Sequence, residues 1–225
     1  MVIAGNTFDS PALHGQSIVK AGYSYVSSSD EAVSSGKDNL NDYKLMDQIL
    51  GKQRQVKIGR GVHEAQFKTF PAELQQAIST YCNQGGNVLV SGAYVGSDLW
   101  DSENVQPKDI AFAKDVLKYN WRTGQASVTG EVKSVVSPFG MISGKYEFHN
   151  ELNGTSYVVE SPDAVEPADP ACFTIFRYSE NNLSAGIAFR GKYKTCVLGF
   201  PFESLKTAGQ RDQLMNNILL FMSSK

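Results

Sequence analysis

Few residues in this sequence are of the kinds that usually build metal or thiol sites. There are three cysteines and three histidines among 225 residues. Cys82, Cys172 and Cys196 are far apart and form no C-x-x-C motif, which excludes the common zinc and dithiol redox motifs. We therefore expect the cysteines to be small buried side chains, and we expect the protein to hold no metal and no cofactor.

Long apolar runs and strong charge are also missing. No stretch approaches the roughly 20 apolar residues that a membrane-spanning helix needs, so we expect no membrane insertion of this segment. The net charge is −2, and the 21 lysines and arginines are scattered along the chain. Because nucleic-acid binding requires a clustered basic surface, we expect no nucleic acid as a partner.

The apolar residues that are present are sufficient for one sizeable core. They make up 41% of the sequence, and we expect a single domain over 1–225. Apolar runs predict strands at 2–7, 23–27 and 45–50, and helical spacing predicts a helix over 12–21. Strands that alternate with helices favour a parallel sheet with crossover helices. Since the chain opens directly on a strand-like run, we also expect it to be a segment of a longer multidomain protein.

The most informative stretch is a buried strand that runs into a glycine-flanked turn. A helix is predicted over 71–82, with a proline at its start and two glycines after its end. The strand 87–91 follows, and the turn 92–96 (GAYVG) places Gly92 and Gly96 on either side of Tyr94. Small residues at these positions allow a sharp strand-to-helix turn, as in a nucleophile elbow. A tyrosine hydroxyl, with an ordinary pKa of about 10, is a poor nucleophile without a base beside it.

The second half of the chain changes to a β-rich pattern. Helical spacing over 110–119 precedes it, and from 127 to 190 short apolar segments follow one another between Gly, Pro and Asn turns. Consecutive strands without intervening helices predict an antiparallel extension of the sheet or a small β lobe. The predicted strands of this insertion or extension are 127–136, 145–149, 156–159, 173–178 and 183–189. A last core strand at 195–199 and a closing amphipathic helix over 209–222 complete the prediction.

Two motifs carry a family resemblance. The elbow after the glycine-terminated helix and the late strand end 197–203 (VLGFPFE) together resemble class I glutamine amidotransferase-like domains. The resemblance implies an α/β fold, a three-layer flavodoxin-like sandwich with a mainly parallel sheet, to which the β-rich extension is added. Active members have a cysteine at the elbow tip and a histidine two residues before a glutamate. Here Tyr94 stands at the tip and Pro201 stands two residues before Glu203, so the resemblance implies a catalytically degenerate domain.

A second resemblance concerns the parent protein. The segments 2–9, 92–99 and 199–203 are similar to a domain of large secreted proteins of Bacteroides-type bacteria that carry a xanthan lyase label. This resemblance implies a secreted, periplasmic or cell-surface location. It also implies a binding or scaffolding module of a larger exported protein, with carbohydrate or other domains of the parent protein as partners.

The sequence also predicts where a ligand would bind. In doubly wound sheets, ligands lie at the carboxyl ends of the strands. A shallow polar and aromatic pocket is predicted there, with Tyr94 and Trp100 as stacking faces; alternatively, Trp100 covers the core and Asp98 caps a helix. The predicted binding residues are Asn6, Asp9, Gly92, Tyr94, Gly96, Asp98, Trp100 and Glu203.

An enzyme is the alternative hypothesis. A polysaccharide-active lyase or hydrolase would use Tyr94 with His63 or Glu203, because eliminating a uronate requires a base and a group that neutralises the carboxylate. Arg60 is the candidate for the second role. The surroundings of the Tyr94 hydroxyl separate the two hypotheses: a histidine or carboxylate in an open cleft favours an enzyme, whereas packing under the β-rich segment favours a binding or structural role.

Overall fold

The computed structural model describes residues 9–54, 68–102, 105–140 and 143–224. Within these ranges the strands are β1 (Leu45–Gly51), β2 (Asn87–Gly92), β3 (Tyr119–Thr123), β4 (Glu131–Ser134), β5 (Lys145–Glu147), β6 (Ala164–Pro167), β7 (Cys172–Tyr178), β8 (Ser184–Arg190) and β9 (Lys194–Leu198). The α-helices are α1 (Ser10–Lys20), α2 (Asp30–Ser34), α3 (Ala72–Asn83), α4 (Ser97–Trp100), α5 (Pro107–Ala111) and α6 (Ala208–Ser223). A π-helical turn (Phe112–Val116) continues α5, and 3₁₀ turns lie at Leu40–Asp42 and Phe202–Ser204.

The main sheet is mixed and strongly curled. Its seven described strands have the order β1-β2-β9-β8-β7-β4-β5. The pairs β1-β2 and β2-β9 are parallel, whereas β9-β8, β8-β7, β7-β4 and β4-β5 are antiparallel. The expected flavodoxin-like sandwich with a mainly parallel sheet is therefore wrong, because most of the described pairings are antiparallel.

Connection length explains the error. The segments 179–183 and 191–193 join β7 to β8 and β8 to β9. A parallel pair needs a crossover of a dozen or more residues, whereas short loops produce antiparallel neighbours. Helices alternate with strands only in the first half of the chain, so the parallel arrangement stops at β9, which lies between β2 and β8.

Both faces of the sheet carry an apolar core, because successive side chains of a strand point to opposite faces. On β2, Leu89 belongs to the core that includes Ile18 of α1 and Ile218 of α6. Val88 and Val90 point the other way, into the core that includes Leu74 and Ile78 of α3. These helices therefore pack on opposite sides of the strands that carry the candidate site.

Several predicted elements are confirmed. The helices expected over 12–21, 71–82 and 209–222 correspond to α1, α3 and α6, with ends that differ by one or two residues. The strands expected at 45–50 and 195–199 correspond to β1 and β9. None of the helices in the described ranges is long and apolar enough to cross a membrane.

Other predicted elements are wrong. The segments 23–27 and 156–159 are irregular rather than strands. The helix expected over 110–119 ends early, because Lys118 has a positive φ of 70° and β3 begins at the next residue. β3 pairs with β6 in a separate two-stranded sheet. The predicted strand 2–7 lies outside the described residues.

The β-rich half of the chain extends the main sheet. β4, β5, β7 and β8 all belong to the sheet that contains β1 and β2. Between β5 and β6 the chain is irregular from 149 to 163, and this connection returns to the edge where β1, β2 and β9 end. It is the part of the fold that shapes the candidate site.

Candidate functional site

The carboxyl ends of the three parallel strands are covered by residues 157–163, which we call the strap. Tyr157 donates a hydrogen bond of 2.7 Å to Oε1 of Glu203, which follows β9. Glu160 forms an ion pair with Lys52, which follows β1, with 2.7 Å between Nζ and Oε1. The backbone N–H of Asp163 donates to the carbonyl of Gly199 at 2.8 Å. The strap therefore occupies the edge at which a ligand was expected.

The glycines of the turn 92–96 are required by close packing. A Cβ atom at Gly92 would lie 2.7 Å from Cβ of Leu50, and one at Gly96 would lie 2.6 Å from Cδ1 of Trp121. Neither distance is tolerated by carbon atoms in contact, since optimal separations are about 3.5–4.0 Å. The sharp turn predicted from the sequence thus depends on the absence of both side chains.

The backbone N–H groups of this turn are bound by the protein's own carboxylate. Oδ2 of Asp163 accepts from the N–H groups of Gly96 and Ser97 at 2.7 and 2.8 Å. Its Oδ1 accepts from Nε1 of Trp121 at 3.1 Å. Burial raises the pKa of Asp163 to about 7, although the N–H donors of Ser97 and Gly96 favour the charged form. In hydrolases with a nucleophile elbow, backbone N–H groups near the nucleophile stabilise a substrate oxyanion. Here the nearby N–H groups of Gly96 and Ser97 are bound by Asp163.

Tyr94 is buried at the tip of the turn. Only 7% of the residue is exposed, and the guanidinium carbon of Arg54 lies 5.0 Å from the centroid of its ring. Burial raises the pKa of the Tyr94 hydroxyl, outweighing the opposite effects of Arg54 and of a hydrogen bond with Ser161 of the strap. A raised pKa makes the hydroxyl a weaker nucleophile at neutral pH. The Tyr94 hydroxyl therefore contacts the strap through Ser161.

Glu203 belongs to a different group of side chains. Its Oε2 lies 3.2 Å from Nε2 of His14, and Nδ1 of His14 lies 2.7 Å from Oδ2 of Asp47. His14 and Glu203 are 1% and 3% exposed. With the hydroxyl of Tyr157, these side chains form the His14 network, which joins α1, β1, the turn after β9 and the strap.

The His14 network is held together by charge. Burial alone would lower the pKa of His14, but the carboxylates of Asp47 and Glu203 outweigh it and raise the pKa to about 9. Burial acts to raise the pKa of Glu203, yet the hydrogen bond and charge of His14 bring it below its ordinary value. Burial and the neighbouring Glu203 raise the pKa of Tyr157. At neutral pH the network is thus an imidazolium between two carboxylates, with a neutral tyrosine.

The other predicted residues are distributed as follows. Asp98 is buried and accepts a hydrogen bond of 2.9 Å from the backbone N–H of Thr69. Trp100 is half-buried and packs against Tyr119, with ring centroids 5.8 Å apart. Asp9 is exposed and precedes α1. Asn6, Arg60 and His63 lie outside the described residues.

Gly92, Tyr94, Gly96 and Glu203 therefore lie at the ends of the parallel strands, while Asp98 and Trp100 have structural partners elsewhere. The structure brings Glu203 to His14 and Tyr157, and it brings Tyr94 to Arg54 and Ser161. Among the residues that the structure describes, no group of three or more His, Cys, Asp and Glu side chains could hold a metal ion.

No local pattern in the sequence indicated the partners in this site. His14 is 33 residues from Asp47 and 189 residues from Glu203 in the sequence. Asp163 is one of many aspartates in loops. Only the tertiary fold brings these residues to the ends of β1, β2 and β9.

Comparison with known proteins gives information about the fold. No family model matches the sequence, and no curated protein matches it significantly. Three solved structures that match are a cold-adapted β-galactosidase from Rahnella sp. R3, the mmIFT52 N-terminal domain and the GH42 β-galactosidase Gan42B. Their TM-scores are 0.58, 0.58 and 0.55, at sequence identities of 12%, 13% and 11%. At these identities the matches show a shared fold alone.

The extent of the matches differs between these structures. The match to the Rahnella enzyme covers 93% of this chain and 26% of the enzyme chain, and the match to Gan42B covers 97% and 27%. The match to the IFT52 domain covers 93% of this chain and 89% of that chain. This chain thus spans about a quarter of the length of the two β-galactosidases.

These comparisons correct the identity expected from the sequence. The matched structures are β-galactosidases and an IFT52 domain, so the expected class I glutamine amidotransferase-like, flavodoxin-like identity is wrong. The resemblance to secreted Bacteroides proteins with a xanthan lyase label is not supported either. Both resemblances depended on short motifs such as 92–96, and a glycine-flanked turn occurs wherever a backbone must pass close to its neighbours.

Proposed function

We propose that this chain is a non-catalytic binding module of a longer protein and that its ligand is a carbohydrate. The observation that carries the proposal is the occupied turn 92–96. Asp163 takes up the N–H groups of Gly96 and Ser97, and Tyr94 at the tip is buried with a raised pKa. The N–H groups that Asp163 binds are not available to a substrate oxyanion, and the buried Tyr94 hydroxyl with its raised pKa is not an activated nucleophile.

The comparisons support the modular part of the proposal. In two β-galactosidases the same fold corresponds to about a quarter of a longer chain. Domains of this kind act together with others in one polypeptide, and function depends on the site rather than on the fold. The two β-galactosidases also make carbohydrate the first class of ligand to test, and other domains of the parent protein the second class of partner.

The experiment combines binding with turnover on the same samples. The purified chain is run on affinity gels that contain neutral polysaccharides (galactan, mannan) or acidic ones (alginate, xanthan), beside bovine serum albumin as a non-binding control. Each polysaccharide is also incubated with the chain and assayed for reducing ends and unsaturated products. We expect retardation on at least one gel and no product from any polysaccharide.

Two results would contradict the proposal. Product release from any polysaccharide would indicate an enzyme, and the pair of Tyr94 and His63 would then be the first to mutate. Migration unaffected by every polysaccharide would exclude carbohydrate within the classes tested and would leave other domains of the parent protein as the partner.

A further inference from the structure

Trp121 of β3 lies directly against the turn 92–96. Its Cδ1 atom is 2.6 Å from the position that a Cβ atom at Gly96 would take, and its Nε1 donates to Oδ1 of Asp163 at 3.1 Å. The indole is half-buried, and the described members of the two apolar cores do not include it. Two contacts therefore fix the position of an aromatic ring that keeps part of its surface in solvent.

Arg54 provides an exposed cation beside the same turn. Its guanidinium carbon lies 5.0 Å from the centroid of the Tyr94 ring. The carboxylates of Glu160 and Asp163 are near enough to influence the pKa of Tyr94. Glu160 is paired with Lys52, however, and Asp163 binds the N–H groups of the turn. Within the described part of the chain, the hydrogen bonds and ion pairs do not involve Arg54.

The guanidinium of Arg54 has a geometry that suits an anion. A guanidinium that stacks on an aromatic ring keeps its N–H groups in its own plane, pointing away from the ring. Two parallel N–H groups of this kind can bind both oxygens of a carboxylate or of another oxyanion. Arg54 thus offers oriented hydrogen-bond donors for an anionic group of a ligand.

Contacts around Asp163 connect the indole to the guanidinium. A Cβ atom at Gly124, which follows β3, would lie 3.5 Å from Oδ1 of Asp163 and 3.7 Å from Oγ of Ser161. The hydroxyl of Ser161 in turn contacts that of Tyr94, whose ring carries the guanidinium. The aromatic ring, the serine hydroxyl and the cation therefore follow one another along the turn 92–96.

The strap is a fixed part of this surface. Val159 is buried in the core that includes Leu89, and its N–H donates to the carbonyl of His149 at 2.8 Å. The N–H of Ala126 donates to the carbonyl of Pro162, also at 2.8 Å. A surface whose groups are already held in place loses less binding free energy to ordering when a ligand arrives.

We propose that the surface formed by Trp121, Ser161 and Arg54 binds an acidic carbohydrate. A sugar ring stacks on the solvent-facing part of the Trp121 indole, and a carboxylate or sulfate of the glycan accepts hydrogen bonds from the Arg54 guanidinium. Neutral glycans lack a charged partner for Arg54. This inference rests on the proposed function, and it narrows the ligand to anionic polysaccharides.

The first test compares polymers of different charge. Affinity gels contain alginate, which carries carboxylates, dextran sulfate, which carries sulfates, or the neutral galactan. Poly-L-glutamate serves as a polyanion without sugar rings. We expect alginate, dextran sulfate or both to retard the wild-type chain, and we expect no retardation by galactan or poly-L-glutamate. The two acidic gels identify which anionic group the site accepts.

The second test removes the guanidinium. Arg54→Gln should weaken binding to the retained polysaccharide about 10-fold or more, because hydrogen bonds between charged groups are the strong ones. Arg54→Lys keeps the charge without the planar pair of donors and should recover only part of the affinity. Lys44→Gln is the matched control, since Lys44 is exposed and precedes β1, at the opposite end of that strand from Arg54. Thermal unfolding of each variant confirms that the fold is intact.

The third test observes the indole without changing it. The sequence contains two tryptophans, so Trp100→Phe leaves Trp121 as the remaining tryptophan fluorophore. Titration with oligosaccharides of the retained polysaccharide should shift or quench the Trp121 emission, whereas oligosaccharides of galactan should leave it unchanged.

The contrary outcomes separate this inference from the proposed function. Retardation by galactan that equals or exceeds retardation by the acidic polymers would overturn the acidic site and leave the carbohydrate function intact, as would wild-type affinity in Arg54→Gln. Equal retardation by poly-L-glutamate, or an unchanged Trp121 emission, would overturn stacking on the indole. No retardation by any polysaccharide would overturn the carbohydrate function itself.

Discussion

Nε2 of His14 lies 3.2 Å from Oε2 of Glu203, although 189 residues separate them in the sequence. This contact joins the first described helix to the turn after the last strand. Both side chains are almost completely buried, and Asp47 provides the second carboxylate on the opposite ring nitrogen. The pair therefore fixes α1 to the sheet through charges that have little access to water.

Removing the imidazole should be strongly destabilising. In His14→Ala, Glu203 and Asp47 lose their common cation, and a broken buried ion pair typically costs about 3–5 kcal/mol. Urea unfolding at pH 7 measures the change in the free energy of unfolding. His149→Ala serves as the control, because His149 is half-buried, and we expect a loss of about 1 kcal/mol or less there. An equally small loss of unfolding free energy in His14→Ala would contradict the charged network.

The same histidine predicts how stability depends on alkaline pH. The pKa of His14 is about 9 in the folded protein, against an ordinary value of 6.5. The folded state holds this proton more tightly than the unfolded state does. The contribution of protonated His14 to the free energy of unfolding is therefore complete below pH 6.5 and is lost as the pH rises through 9. The difference corresponds to about 3 kcal/mol. Urea unfolding at about pH 6 and pH 10 should reveal this fall in wild type, and His14→Gln should lack it.

The lowered pKa of Glu203 predicts how the stability of the protein changes at acidic pH. Its pKa lies below the ordinary value of 4.5, because the contacts with His14 outweigh the effect of burial. Its contribution is therefore complete above pH 4.5 and is lost as the pH falls through the lowered pKa. The midpoint of acid unfolding should move to higher pH in Tyr157→Phe, which removes one hydrogen bond to the carboxylate. An unchanged midpoint would show that this bond does not stabilise the charged form.

Removing the Asp163 carboxylate should lower the free energy of unfolding more than removing only its charge. Asp163→Ala leaves the N–H donors of Gly96, Ser97 and Trp121 without their acceptor, which should cost at least about 3 kcal/mol. Asp163→Asn keeps an acceptor oxygen and should cost less. Because burial raises the pKa of Asp163 to about 7 from 3.8, its contribution falls as the pH rises between these values. Unfolding at about pH 5 and pH 8 measures both effects, and equal losses in the two variants would contradict the role of the acceptor.

The turn 92–96 should not accommodate even a methyl group at Gly92. In Gly92→Ala the new Cβ would lie 2.7 Å from Cβ of Leu50, and overpacking of this kind costs about 1–3 kcal/mol. Gly154→Ala is the matched control, since a Cβ there meets nothing within 4 Å. Thermal unfolding of the two variants provides the comparison. Equal stability would mean that the turn relaxes without cost.

Local patterns in the sequence predicted local structure well. The spacing of apolar residues located α1 and α6, and the two glycines after α3 marked where that helix ends. The same patterns did not predict the relative direction of the strands. That direction depends on which strands are neighbours, and β7, β8 and β9 are antiparallel neighbours joined by short connections. The strands β3 and β6 were missed because their pairing partner is distant in the chain.

The residues of the candidate site show the same difference between local and long-range information. Gly92, Tyr94 and Gly96 were identified from a short motif, because a sharp turn needs small residues within a few positions. His14 and Asp163 had no such signal, since each becomes significant only through a partner far away in the sequence. Charge and burial, rather than spacing, determine what these two residues do.

The central place of β9 has a consequence for folding. This strand joins the parallel pair β1-β2 to the antiparallel strands β8 and β7, yet it is the last of the described strands to be synthesised. Before residues 194–198 leave the ribosome, the two halves of the sheet have no common edge on which to associate. Long-range pairing of this kind slows folding, and the growing chain therefore exposes two incomplete sheet edges until β9 has been synthesised.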